Sequence, residues 1–278
     1  MTDTNRTGRL ARAVACCAGL AFANTSSAAV VAVFNDPGYV DAGTEASIAI
    51  ALTGLGHTVT TFTGIGAASF NTAVASSNLI LFPHLAANLG TGLAEALGPS
   101  AIAAVQNYVN QGGAVVAVGG DAHNLLNGLF YAPTANFLAS SGLFGGGSFL
   151  QAAAAGTPYA AAPATLAGLP GVDTGLNFFA FTPPGSVALY MDSVSGTDAG
   201  GFNSVTVFVD DIGSGSVAYL SWNWLNAVAN DANGGWNPLL DLVVNDVAAP
   251  PAVVPLPASA PLLFGALALV GAVRRRRT

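Results

Sequence analysis

Four titratable side chains stand just after successive apolar runs. Asp36 follows residues 30–34, His84 follows 78–83, and Asp121 and His123 follow 114–118. Imidazole and carboxylate together suit zinc, manganese or nickel. The same pairing can also pass a proton as acid and base. Trp222, Asn223 and Trp224 follow a later apolar run, and indole faces there are candidates to stack on the sugar rings of an exopolysaccharide. Together Asp36, His84, Asp121, His123, Trp222 and Trp224 form the candidate ligand crevice. Each also has a plainer reading. Asp36 precedes Pro37-Gly38 and suits a strand-end turn. Asp121 suits a helix N-cap, and the tryptophans suit packing. His57 begins a run and belongs on the opposite rim.

The body has no thiol nucleophile, and no Ser-His-Asp motif stands out in it. Both cysteines, Cys16 and Cys17, lie near the N-terminus. No Gly-X-Ser-X-Gly elbow occurs between a strand and a helix. The residues therefore lean away from catalysis, with a secreted hydrolase or metal-dependent enzyme on the His/Asp rim as the alternative. No cofactor is expected, apart from a divalent metal ion on that rim.

The elements that must hold these residues alternate in type. Continuous apolar runs at 30–34, 78–83 and 114–118 read as buried strands, and the β-branched run 57–63 reads as another. Helical periodicity over 44–55, 70–75, 99–111 and 122–130 fills the gaps, with Gly56 and Gly112-Gly113 as stops. Strands alternating with helices imply a mainly parallel sheet. Residues 131–184, rich in Gly, Ala and Pro, break the rhythm as an irregular insertion. A strand at 186–191 follows. Then comes a hairpin with arms 205–209 and 216–220 around the loop 210–215. A helix from Pro238 to Val247 closes the body.

Charge is strongly segregated. The seven basic residues are Arg6, Arg9, Arg12 and Arg274, Arg275, Arg276, Arg277, and every acidic residue except Asp3 lies between those clusters. A body without Lys or Arg cannot neutralise phosphates, which excludes nucleic acid as a partner. It cannot form ordinary salt bridges either, so its stability must come from apolar burial and hydrogen bonds.

The two ends explain the segregation. Arg6, Arg9 and Arg12 precede the apolar stretch 13–23 and the small residues Ser26, Ser27, Ala28 and Ala29. This is the layout of a secretory signal peptide over 1–29, with the mature chain starting at Ala29 or Val30. A lipoprotein cut at Cys16 or Cys17 is a weaker alternative, because the apolar run before Cys16 is very short. At the other end, Val254-Pro255-Leu256-Pro257-Ala258 leads into the apolar run 258–273 and then Arg274–Arg277. That run falls just short of the roughly 17–25 apolar residues of a full span, and Pro255–Pro257 brings it to length. Arginines at both ends stay in the cytoplasm under the positive-inside rule.

This tail resembles the PEP-CTERM sorting signal of Gram-negative bacteria, with Leu256 where the namesake tripeptide has Glu. The resemblance implies recognition by an exosortase at the inner membrane. Signal peptidase would act at the other end. The protein would then be anchored in the inner membrane first, and reach the cell surface or extracellular matrix after processing.

The body, 30–248, resembles the class I glutamine amidotransferase-like fold, a flavodoxin-like sheet. The resemblance rests on the strand–helix order, a long helix ending in Gly-Gly, the turn Val118-Gly119-Gly120-Asp121-Ala122-His123, and the Gly215–Leu220 strand. It implies helices on both faces of the sheet. Enzymes of that class carry a Cys on this turn, whereas here the turn has neither Cys nor Ser. The expected organisation is a signal peptide at 1–29, an α/β domain at 30–248, a Pro-rich linker and sorting motif at 249–257, and an apolar segment with its Arg tail at 258–278. The expected role is structural or binding.

Overall fold

The computed structural model describes residues 28–85, 89–131, 139–143, 147–170, 172, 174–177, 186–192, 204–225, 227–228 and 231–248. Most of the expected signal peptide, the expected linker and sorting motif Val254–Ala258, and the tail Arg274–Arg277 lie outside the described residues. Among the described residues no helix is long and apolar enough to cross a membrane.

The protein is a mixed α/β domain. In chain order its elements begin with β1 (Val30–Phe34), α1 (Thr44–Gly54), β2 (Thr58–Phe62), α2 (Ala67–Ser76) and β3 (Leu79–Phe82). Next come α3 (Leu89–Ala96), α4 (Pro99–Asn110), β4 (Ala114–Val118) and α5 (Ala122–Phe130). Then follow β5 (Ala139–Leu143), β6 (Ser148–Leu150), β7 (Thr165–Leu166), β8 (Thr174–Asn177) and β9 (Val187–Met191). The chain closes with β10 (Ser204–Ile212), β11 (Gly215–Leu220) and α6 (Trp236–Val247).

The main sheet runs β2-β1-β3-β4-β11-β10-β9-β6-β7. From β2 to β11 neighbours are parallel, with Val31 beside Leu79 and Val118 beside Leu220. That half follows one of the two common doubly wound strand orders, with β11 in the fifth place. Beyond β11 every described pairing is antiparallel, including the β8–β5 branch off β10. The sheet is therefore parallel in one half only, rather than mainly parallel. Beyond the expected hairpin, the difference comes from the segment expected to be irregular, which supplies β5, β6, β7 and β8. These strands are short, and the segment around them is rich in Ala and Gly, which carry little strand signal.

The central strands are buried on both faces, which is why they read as unbroken apolar runs. Val31, Val33, Leu79, Leu81, Val116, Ala218 and Leu220 face one core with Ile48 and Leu52 of α1 and Leu239, Leu240 and Val243 of α6. Phe34, Ile80, Phe82, Val115, Val217 and Tyr219 face a second core with Phe70 of α2, Val105 and Val109 of α4, and Leu125 and Leu126 of α5. Helices thus cover both faces. Rings of Phe34, Phe62, Phe70 and Phe82 meet at 5.4–6.3 Å on the second face.

The β10–β11 hairpin turns on Gly213-Ser214 alone, tighter than the loop expected at 210–215. Gly215 has no room for a side chain, since a Cβ there would overlap the carbonyls of Gly113 and Val109. α3 was not expected, because Gly90 and Gly92 obscure its periodicity.

Candidate functional site

Ligands of doubly wound sheets sit beyond the carboxyl ends of the strands, at the point where the strand order reverses. Here the reversal lies between β1 and β3. The loops that leave these two strands are joined across it: Val40 and Leu85 form an antiparallel bridge. Asp41 N also donates to His84 O at 3.1 Å, and Thr44 Oγ1 donates to Asp41 O at 2.7 Å.

Asp36 belongs to that closure. Its Oδ1 accepts from Gly38 N at 2.9 Å and its Oδ2 from Gly64 N at 3.2 Å. Both carboxylate oxygens therefore tie the loops after β1 and β2 together.

His84, Asp121 and His123 gather around the end of β4. The His84 ring lies so close to Gly119 that a Cβ at 119 would approach its Cβ and Cγ to 2.9 Å. Gly119 itself has φ 79°. Asp121 follows at φ 55° and ψ −16°, a left-handed conformation that costs a non-glycine residue about 1–3 kcal/mol. Its side chain makes no capping hydrogen bond to α5, contrary to the N-cap expectation. The left-handed backbone is incompatible with the extended geometry that an N-cap uses. Instead Asn124 Nδ2 donates to Asp121 Oδ1 at 3.4 Å.

His123, in the first turn of α5, is 6 % exposed. Its Nδ1 is buried and has no hydrogen-bond partner among the described residues. Burial lowers its pKa below the ordinary histidine value, and the Asp121 carboxylate partly opposes this. Along the neighbouring strands, Ser221 Oγ just after β11 and Thr206 Oγ1 in β10 are also buried without a partner among the described residues. Gly119 N donates to Leu220 O at 2.8 Å, and Ser221 N donates to Thr206 O at 2.9 Å. Hydrogen-bonded backbone thus runs along this rim from Gly119 to Thr206. Among the described residues no three His, Cys, Asp or Glu side chains form a group that could hold a metal ion.

The tryptophans are not a sugar platform. Trp222, Trp224 and Trp236 are fully buried, with ring centroids 4.6, 6.1 and 6.0 Å apart. Each indole N–H has an internal acceptor: Pro170 O at 3.2 Å for Trp222, Asn237 Oδ1 at 2.9 Å for Trp224, and Ala167 O at 2.9 Å for Trp236. The insertion covers them, and their flat faces are spent on packing.

Two buried polar arrangements escaped the sequence reading. Tyr131 pairs with Asp210, a residue assigned from sequence to a hairpin loop. His57 lies at the start of the sheet, where its Nδ1 accepts from Ala29 N at 3.3 Å and its Nε2 lies 3.2 Å from Asp241 Oδ1. Both partnerships join residues far apart in the chain, and no local spacing signals them.

No family model and no curated protein matches the chain. Among solved structures it resembles a ThuA-like protein from Parabacteroides merdae. The identity is 12 % and the TM-score 0.53, over 84 % of this chain and 94 % of that one. A ThuA-like protein from Bacteroides uniformis aligns at 12 % identity and TM-score 0.48, over 78 % of this chain and 88 % of that one. At such identity the first likeness concerns the fold alone.

Proposed function

We propose that the chain is an exported protein of the bacterial envelope, sorted through its C-terminal segment, with a structural or binding role at the cell surface or in the matrix. Its body is read as a flavodoxin-like, amidotransferase-like domain without the nucleophile. The supporting observation is the charge distribution. All basic residues flank the body, and the body itself is purely anionic apart from three histidines. That arrangement suits a chain whose ends are retained by the membrane potential and inner-leaflet charge while its middle crosses. Signal peptidase and an exosortase are the partners this reading requires. The test is fractionation of the native host with and without its exosortase. The processed protein should leave the inner membrane only when the exosortase is present. Full-length chain in the cytosol would overturn the reading.

A second reading is favoured by the strained Asp121 beside the buried, unpartnered His123 Nδ1. On this reading the pair acts as acid and base on a small polar substrate, as in a secreted hydrolase. Chromogenic esters and glycosides test it. Turnover lost in both Asp121→Asn and His123→Ala supports it, and no turnover by the parent protein ends it.

A further inference from the structure

Ala29 marks an abrupt boundary. Ala28 is exposed, while Ala29 is 5 % exposed and belongs to the core beneath α1 and α6. Its carbonyl accepts from Thr58 N at 2.9 Å and extends the β1–β2 ladder by one bond. Its nitrogen donates to His57 Nδ1 at 3.3 Å. His57 is equally buried, and its Nε2 lies 3.2 Å from Asp241 Oδ1. That oxygen also accepts from Asn245 Nδ2 at 2.7 Å. The Ala29 contact sets the tautomer: Nδ1 is bare in order to accept, so the ring proton sits on Nε2, 3.2 Å from the Asp241 carboxylate but not aligned for a hydrogen bond to it. Burial, which lowers the pKa of His57, favours this neutral ring, while Asp241 acts in the opposite direction.

A buried imidazole backed by a carboxylate is a strong acceptor, more than one backbone amide requires. It would suit an ammonium group. The chain contains no lysine, and between Ala29 and Pro257 no arginine either. An α-ammonium at the start of the body would be the one fixed cation in that span, and Asp241 would gain a counter-charge through His57.

We propose that signal peptidase cuts between Ala28 and Ala29, and that the amine it releases is seated on His57 backed by Asp241. The proposal rests on the export reading above. In the cut, water's hydroxyl adds to the Ala28 carbonyl carbon and the Ala28–Ala29 C–N bond breaks. The nitrogen of Ala29 keeps its hydrogen and takes the two protons released by water and the new carboxylic acid. Ala28 leaves as a carboxylate and Ala29 begins the chain as an ammonium, its usual form at neutral pH. A cut one residue later would discard Ala29, its buried methyl and both its backbone bonds. The structure thereby separates two cleavage positions that the sequence leaves equal.

The experiment is intact-mass analysis of the full chain exported through its own leader in a Gram-negative host, followed by acylation with an amine-reactive ester. A mature chain starting at Ala29 is expected. A start at Val30 or elsewhere overturns the proposal and leaves export standing, whereas an uncut leader overturns both. Because the chain has no lysine, the ester reports on the α-amine alone. The folded protein should react at least ~10-fold more slowly than the protein in denaturant, as expected for a protected group. His57→Ala should remove most of that protection. Should that variant not fold, Asp241→Asn serves the same end and should raise the folded rate several-fold. Equal rates in folded and denatured protein overturn the seat.

Discussion

Tyr131 donates its hydroxyl to Asp210 Oδ2 at 2.9 Å within the core that α5 covers. Asp210 is 3 % exposed, and its other oxygen has no partner among the described residues. Burial raises the Asp210 pKa above the ordinary value of 3.8, and the Tyr131 hydroxyl opposes the rise. An acid whose folded pKa is raised binds protons more readily when folded. Its contribution to stability is therefore full below the unfolded pKa and is lost as pH rises through the folded one. Asp210→Asn should flatten that fall, so the difference in Tm between variant and parent should grow in the variant's favour from about pH 4 upward. Tyr131→Phe removes this hydroxyl donor to Oδ2 and should cost about 1–3 kcal/mol at neutral pH. Denaturant unfolding at several pH values measures both, and a parallel pH dependence in Asp210→Asn and parent would refute the account.

The tryptophan cluster makes a separate prediction. Trp236 packs against two other indoles and donates to Ala167 O in the insertion. Trp236→Ala should cost about 3–5 kcal/mol, the usual range for emptying an aromatic site in a core. Titration with oligosaccharides should leave the intrinsic fluorescence unchanged, because no indole face reaches solvent. A saturable spectral shift on adding sugar would contradict the burial described above.

What could be read in advance follows from physical locality. β1, β3 and β4 were legible because strands covered on both faces are apolar throughout. α4 was legible from Pro99 at its start and Gly112-Gly113 at its end. In the antiparallel half, β9 and the β10–β11 hairpin were legible as well, but the strands β5 to β8 were not. β7 has two residues and β6 three, and both are held by cross-strand pairing with distant partners rather than by propensity. The site divides along the same line. Placing Asp121 and His123 after a strand correctly put them at the carboxyl rim. Asp36 carries the same chemistry in the same kind of position, yet its two oxygens accept from Gly38 N and Gly64 N and so tie two loops together. That distinction depends on Gly64, which belongs to the loop after another strand.

Gly215 tests how closely the hairpin approaches α4. A methyl group at 215 would overlap two backbone carbonyls, Gly113 O and Val109 O, neither of which can rotate away. Gly215→Ala should destabilise by about 1–3 kcal/mol, the range for overpacking, by pushing β11 off the end of α4. Gly156→Ala is a control, since nothing lies within 4 Å of a Cβ there. Its left-handed φ of 80° still makes alanine unfavourable, by about 1 kcal/mol. Chemical denaturation of the pair separates collision from conformational strain, and equal losses would argue against the collision.

His123 gives the rim a titration of its own. Burial lowers its pKa from the ordinary 6.5, and Asp121 pulls the other way. Replacing Asp121 with Asn should therefore lower the His123 pKa further, which ring-proton NMR across a pH series reads directly. The sign for stability follows. Below about 6.5 the unfolded histidine takes up a proton that the folded one refuses, so folding loses stability as pH falls through that region. His123→Gln has no such proton to gain and should hold its Tm better than the parent between about pH 6.5 and pH 5. The same variant removes the unpartnered Nδ1, so any ligand that seats on this nitrogen should stabilise the parent and not His123→Gln. If Asp121→Asn instead raises the His123 pKa, the two side chains are not coupled as the geometry requires, and the acid–base reading of the rim falls with that result.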